Sequence, residues 1–151
     1  MLPPDAVRTI TIYCRWVRPD GHVKPMRRVL YNCSWEERNI SVALQTGNVL
    51  KEPVSIRVFC ATSSMIYVEP HVWDGLDEGL LDKFWTVDLT KEAKPLIVPF
   101  ECEWEPGFDV PSKITTFENA FIRDTPGATR VVESNDNRKP YGSHIRIRAG
   151  G

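Results

Sequence analysis

Thr9-Ile10-Thr11-Ile12-Tyr13-Cys14-Arg15-Trp16-Val17 alternates strictly. Ile10, Ile12, Cys14 and Trp16 fall on one side, and Thr9, Thr11, Tyr13 and Arg15 on the other. Period two with β-branched and aromatic residues predicts a strand with one face in a core. Arg18-Pro19-Asp20-Gly21-His22 follows, and its Asp-Gly pair is a turn signal. Residues 27–35 alternate again, with Val29, Tyr31, Cys33 and Trp35 sharing a face. The two stretches are expected to pair as a hairpin with a loop longer than two residues.

The same pattern continues outward. Residues 39–44 form a third candidate strand, closed by the turn Thr46-Gly47-Asn48. Residues 54–61 form a fourth, with Val54, Ile56, Val58 and Cys60 opposed to Arg57, and residues 66–68 extend or follow it. Between 70 and 84, Trp73, Leu76, Leu80, Leu81 and Phe84 recur at spacings of three and four. That spacing predicts one or two short helical turns, with Gly75 and Gly79 weighing against a continuous helix. Residues 85–89 and 96–104 read as strands, and 105–111 as a loop by composition.

Thr115-Thr116-Phe117-Glu118 reads as a helix start. Thr115 would accept a bond from the amide three residues on, while Glu118 reaches back. Phe117, Ala120 and Phe121 give the helix an apolar face, and Pro126-Gly127 ends it. Residues 128–133 predict a strand and 134–142 a polar turn. Ile145 and Ile147, alternating with His144, Arg146 and Arg148, predict a last strand before a mobile Ala149-Gly150-Gly151 tail. The expectation is a mainly β fold, a small barrel or sandwich of about eight short strands with one or two short helices and long loops. No repeat or interdomain linker is visible, so residues 1–151 read as a single domain.

Composition agrees with a packed domain. The chain has 151 residues, of which 42% are hydrophobic and 26% charged. Such a length buries roughly 68–70% of the surface an unfolded chain exposes. No apolar run approaches the ~18 residues of a membrane span. The opening Met1-Leu2-Pro3-Pro4-Asp5 does not look like a secretory signal, which places the chain by default in the cytoplasm or in a particle built there. Net charge is −1, but its distribution is uneven. Residues 1–50 carry seven basic and four acidic residues, 51–112 carry five and twelve, and 113–151 carry seven and four. Such blocks read as solvated loops, or as complementary surfaces that bring copies of the chain head to tail.

Common catalytic spacings are absent: there is no Gly-rich phosphate loop, no Gly-x-Ser-x-Gly and no His-Glu-x-x-His. Cys14, Cys33, Cys60 and Cys102 form no Cys-x-x-Cys pair and read as small buried hydrophobes. No metal or cofactor is expected. Five tryptophans in a β-rich chain raise a sugar-stacking surface as an alternative to core filling. Trp104, between Glu103 and Glu105 and close to Phe108 and Asp109, is the candidate anchor of a partner-facing or channel-facing loop. Arg146 and Arg148 are candidates for pairing with a neighbour's acidic surface or adding to its sheet edge. The other reading is an edge strand made safe by charge.

A family resemblance rests on the strand Ile10-Thr11-Ile12-Tyr13, then Arg28-Val29-Leu30-Tyr31-Asn32-Cys33-Ser34-Trp35, Gly47-Asn48-Val49 and Val54-Ser55-Ile56-Arg57-Val58. It continues in Val131-Val132-Glu133-Ser134-Asn135-Asp136-Asn137-Arg138, Tyr141-Gly142-Ser143 and the closing Ile147-Arg148-Ala149-Gly150-Gly151. Together these resemble a family of small structural proteins from the head–tail joining region, or neck, of tailed bacteriophages and prophages. The chain departs from the family pattern at Cys14, where Asn is usual, at Arg146 and Ile147, which replace a His-Trp pair, and at Lys139-Pro140.

The resemblance implies a non-enzymatic virion protein, assembled in the bacterial cytoplasm. It implies a head-completion or stopper ring, a hexamer or dodecamer of this chain. Its partners would be the portal and adaptor above, a tail terminator or tail tube below, and genomic DNA passing without sequence-specific contact. Membranes are not expected among them. A tail terminator or tail-completion protein is the nearest alternative. A carbohydrate-binding module, or a small envelope-cleaving enzyme using Glu101 and Glu103, stands further off.

Overall fold

The computed structural model describes residues 7–37, 53–59, 65–91, 93–138 and 144–150. The expected strand at 39–44, the turn at 46–48, Cys60, residues 139–142 of the polar turn and the terminal Gly151 lie outside them. The strands are β1 (Arg8–Val17), β2 (Val23–Glu36), β3 (Val54–Phe59), β4 (Ile66–Tyr67), β5 (Phe84–Trp85), β6 (Leu96–Val98), β7 (Thr129–Asn137) and β8 (His144–Ala149). Helix α1 (Pro70–Asp74) and a 3-10 turn (Glu78–Lys83) lie between β4 and β5, and helix α2 (Pro111–Asp124) lies between β6 and β7.

Six strands close into an antiparallel barrel in the order β1-β2-β3-β8-β7-β6, with β6 pairing back onto β1. The mainly β expectation is met, as a barrel rather than a sandwich. The β1–β2 hairpin forms as expected, with Val17 opposite Val23. Closure depends on a very short element: three residues of β6 pair with β1, Ile12 lying opposite Ile97. β4 and β5 form a separate parallel pair.

The alternation of β1 buries Ile10, Ile12, Cys14 and Trp16 in the main core. β2 needs a correction. Val29 is only half-buried and Tyr31 is exposed, while Met26, Arg28 and Leu30 are buried. The ladder between β1 and β2 slips where Arg8 faces Cys33 but Ile10 faces Leu30. Asn32 sits in the slip at φ 58°, a left-handed conformation that asparagine tolerates. The extra residue moves the inward phase from Leu30 to Cys33, which a fixed period of two cannot register.

Strand lengths differ from expectation as well. The expected strands at 85–89 and 96–104 shrink to β5 and β6, whereas β7 runs on through Asn137 into the expected turn. The expected helical turns at 70–84 appear as α1 and the 3-10 turn, which carry Trp73 and Leu81 into the main core beside Trp85 and Val87. Buried Arg28 ties this connection down: it donates from Nε to the Phe84 carbonyl and from a terminal nitrogen to the Leu81 carbonyl, each at 2.8 Å. The Cys14 thiol donates to the Thr86 carbonyl at 3.2 Å, and the Trp73 indole to the Arg15 carbonyl at 2.9 Å. Cys14, Cys33 and Cys102 are free thiols in the interior.

The outer face of β1 is covered too. Tyr13, Leu96, Val98, Cys102 and Ala128 form a second core, capped by Trp104, Phe121 and Ile122. Helix α2 begins at Pro111, not at Thr115. Proline is favoured at a first helical position because its missing N–H would have had no partner there. Thr115 lies inside the helix and donates to the Pro111 carbonyl at 3.0 Å. Glu118 does not cap the helix: it is buried beneath it, paired with Arg15 and, at 3.5 Å, with Arg130.

Candidate interaction surface

The segment after β6 runs extended along the outside of β1. The Thr11 hydroxyl donates to the Phe100 carbonyl and accepts from the Cys102 amide, both at 2.8 Å. The Tyr13 hydroxyl donates to the Trp104 carbonyl at 2.7 Å, and Arg27 Nε donates to the Cys102 carbonyl. Burial of Tyr13 pushes its ionisation well above the usual phenol range, so it stays a donor. Held this way, Cys102 and Trp104 turn toward the barrel, while Glu101, Glu103 and Glu105 are exposed. Three carboxylates thus share one edge of the segment at a spacing of two. Arg27 approaches Glu101 at 3.9 Å.

Trp104 and Phe108 are not the exposed anchors that composition suggests. Trp104 is half-buried and stacks on Phe121, with ring centroids 4.4 Å apart and planes 11° apart. Its other neighbour is Tyr13, edge-on at 5.3 Å. Phe108 meets Trp16 edge-on at 5.8 Å and carries the Arg18 guanidinium 4.1 Å above its ring. Asp109 exchanges backbone hydrogen bonds with Val23 at 2.8 and 3.0 Å, and its carboxylate accepts from the Val110 amide. These residues fasten the loop to its own chain. Glu105 alone among the four loop candidates faces solvent.

Arg146 and Arg148 belong to a strand with neighbours on both sides. β8 pairs with β3 and with β7, so neither edge-strand reading holds. Ile145, Ile147 and Ala149 fill the barrel, and Arg146 is exposed on the outside. Arg146 lies directly opposite Arg57 of β3, and Arg148 reaches Glu133 of β7 at 3.4 Å. His144 completes this patch against Phe59. Burial, then Arg57 and then Arg146, lower its proton affinity.

The two groups of candidates do not meet. β1 and β8 are three strands apart in either direction around a ring of six, so they form opposite walls of the barrel. The glutamate strip lies over one wall and the arginine patch over the other. Sequence reading missed Glu118 with Arg15 and Arg130, and it missed Arg57 as Arg146's cross-strand neighbour. Periodicity places Arg57 and Arg146 each on an outward face, but only the β3–β8 ladder makes them neighbours.

Among the described residues no helix is long and apolar enough to cross a membrane. No protein-family model, curated protein or solved structure matches the chain.

Proposed function

We propose that the protein is a structural component of a tailed-bacteriophage neck, a head-completion or stopper protein that forms a ring around the DNA channel beneath portal and adaptor. The resemblance of nearly the whole sequence to neck proteins supports this reading. The observation that carries it is the placement of an exposed acidic strip and a basic patch on opposite walls of a closed barrel. A ring of identical subunits is built from heterologous contacts, in which each copy offers two unlike faces. Glu101, Glu103 and Glu105 supply one face; Arg146 and Arg148, backed by Arg57, supply the other. Since β8 is laddered on both sides, copies meet through side chains, and charge complementarity fixes their register. DNA passes through the ring without sequence-specific contact.

A tail terminator would use the same ring, and position in the particle separates the two roles. The carbohydrate-binding alternative requires exposed indoles, whereas all five tryptophans are buried or half-buried.

The test is cryo-electron microscopy of particles carrying the protein, reconstructed without imposed neck symmetry. A ring directly below portal and adaptor is the expected result. A ring at the top of the tail tube would reassign the protein as a terminator, and its absence from particles would end the neck reading. A charge swap tests the interface itself. Arg146→Glu with Arg148→Glu should prevent incorporation, and adding Glu101→Lys, Glu103→Lys and Glu105→Lys to the same chain should restore it. Normal incorporation of the first variant would refute the proposed faces.

A further inference from the structure

A cleft of about 710 Å³ opens where β1, the turn after it, Lys91, Ala93, Lys94 and the first turn of α2 converge. Its volume lies within the range of small-molecule sites. Arg15, Lys91, Lys94 and Arg130 line it, among apolar walls that include Val23 and Pro111.

The charges in this cleft do not balance among the described residues. Arg15 and Arg130 share a single carboxylate, Glu118. The Arg15 side chain is only 8% exposed and that of Glu118 1%. Arg15 Nε and Glu118 Oε2 are both buried without a hydrogen-bond partner. Burial, and then the like charge of Arg130, push Arg15 down to about 10. Lys91 is matched by Asp74 at 3.7 Å and Asp88 at 3.8 Å. Lys94 donates only to a neutral group, the Leu89 carbonyl. Among the described residues these four cations thus face three carboxylates, an excess of one positive charge. The cleft also receives the start of α2, whose N-cap residue, Val110, supplies no side-chain acceptor. Pro111 has no N–H and the Ile114 amide donates to the Val110 carbonyl at 3.1 Å, so Ser112 and Lys113 carry the amides without an intrahelical acceptor.

From this geometry we infer that the cleft binds a phosphorylated small molecule, with Arg15, Arg130 and Lys94 around the phosphate and the apolar walls around its organic body. A phosphate monoester carries about −1.5 to −2 charge at neutral pH, which more than offsets that excess. Guanidinium pairs suit its oxygens, and helix-start amides add donors of the right kind. The cleft is larger than phosphate alone requires, which leaves room for the remainder of the ligand. The inference is independent of the neck assignment, since it concerns a site within one chain.

The experiment is calorimetric titration of the full chain with phenyl phosphate, inorganic phosphate and benzoate at matched ionic strength. Phenyl phosphate should bind best, because it satisfies both the charge and the apolar walls. Arg130→Gln leaves Arg15 and Glu118 as a neutral pair, and Lys94→Gln removes a half-exposed cation. Each variant should keep its circular dichroism spectrum and weaken phenyl phosphate about tenfold, as expected for loss of one charge-assisted bond. No binding above the matched-salt control, or binding by the folded variants as tight as by the parent chain, would overturn the inference. So would tighter binding of benzoate, or competition by duplex DNA for the same site with higher affinity.

Discussion

Glu118 shows how much one side chain can carry. It lies beneath α2, fully buried, between Arg15 of β1 and Arg130 of β7. Removing one partner from a buried ionic group leaves charge without compensation and costs about 3–5 kcal/mol. Glu118→Ala should lose that much stability in denaturant titrations, whereas replacing exposed Glu105 should cost less than about 0.5 kcal/mol. Equal losses at both positions would show that Glu118 is not the counter-charge of the two arginines. Cys14 makes a prediction about pH. Burial raises its thiol from 9.0 to about 11, so the folded state holds a proton that the unfolded state releases. Its contribution is complete below the unfolded value and is lost as pH rises from 9 to about 11. Unfolding midpoints should fall across that window by at most about 1.4 kcal/mol per pH unit from this group. Cys14→Ala should flatten the decline; an unchanged slope would place the titrating group elsewhere.

At the scale of elements, the turn between α2 and β7 is tightly constrained. Gly127 has φ 85°, and a Cβ there would lie 2.7 Å from Cγ of Pro99. Gly127→Ala should cost about 1–2 kcal/mol through left-handed strain alone, with the contact adding to it. Thermal unfolding measures this, and a midpoint equal to that of the parent would show that the turn relaxes. Pro126-Gly127 was readable as a break because its residue types bear directly on backbone angles. The same holds for β3 and β8, where a buried face alternates with a more exposed one, and for β1, whose apolar face alternates in sequence although a second core covers its other side. Legibility failed where tertiary contacts overrode local pattern. Thr115 and Glu118 have the spacing of a capping box, yet Glu118 is drawn under the helix by two arginines distant in sequence. Trp104 stands between two glutamates, yet its ring lies on Phe121. Tyr31 reads as inward until the slip at Asn32 reverses the phase. The Arg57–Arg146 pair depends on strand order, which periodicity does not encode.

At the scale of the whole molecule, the barrel joins strands far apart in the chain. The β1–β2 hairpin is local, but its outer partner β6 arrives from the far side of the 65–89 connection, and that connection fills the core with Trp73, Leu81 and Trp85. Long-range β pairing must meet its loop-closure entropy before contacts reward it, so such topologies fold in roughly milliseconds to seconds. Refolding followed by the fluorescence of buried Trp73 and Trp85 should fall in that range. A microsecond phase carrying the full signal would mean that the interior fills before the barrel closes. The seam at Ile12 and Ile97 has a further consequence in time. Until those few residues of β6 engage, β1 keeps an open flank and the unfinished chain can be captured by another like it. Yield on dilution from denaturant should therefore fall steeply with chain concentration, because dwelling half-built is hazardous in proportion to how many half-built neighbours are present.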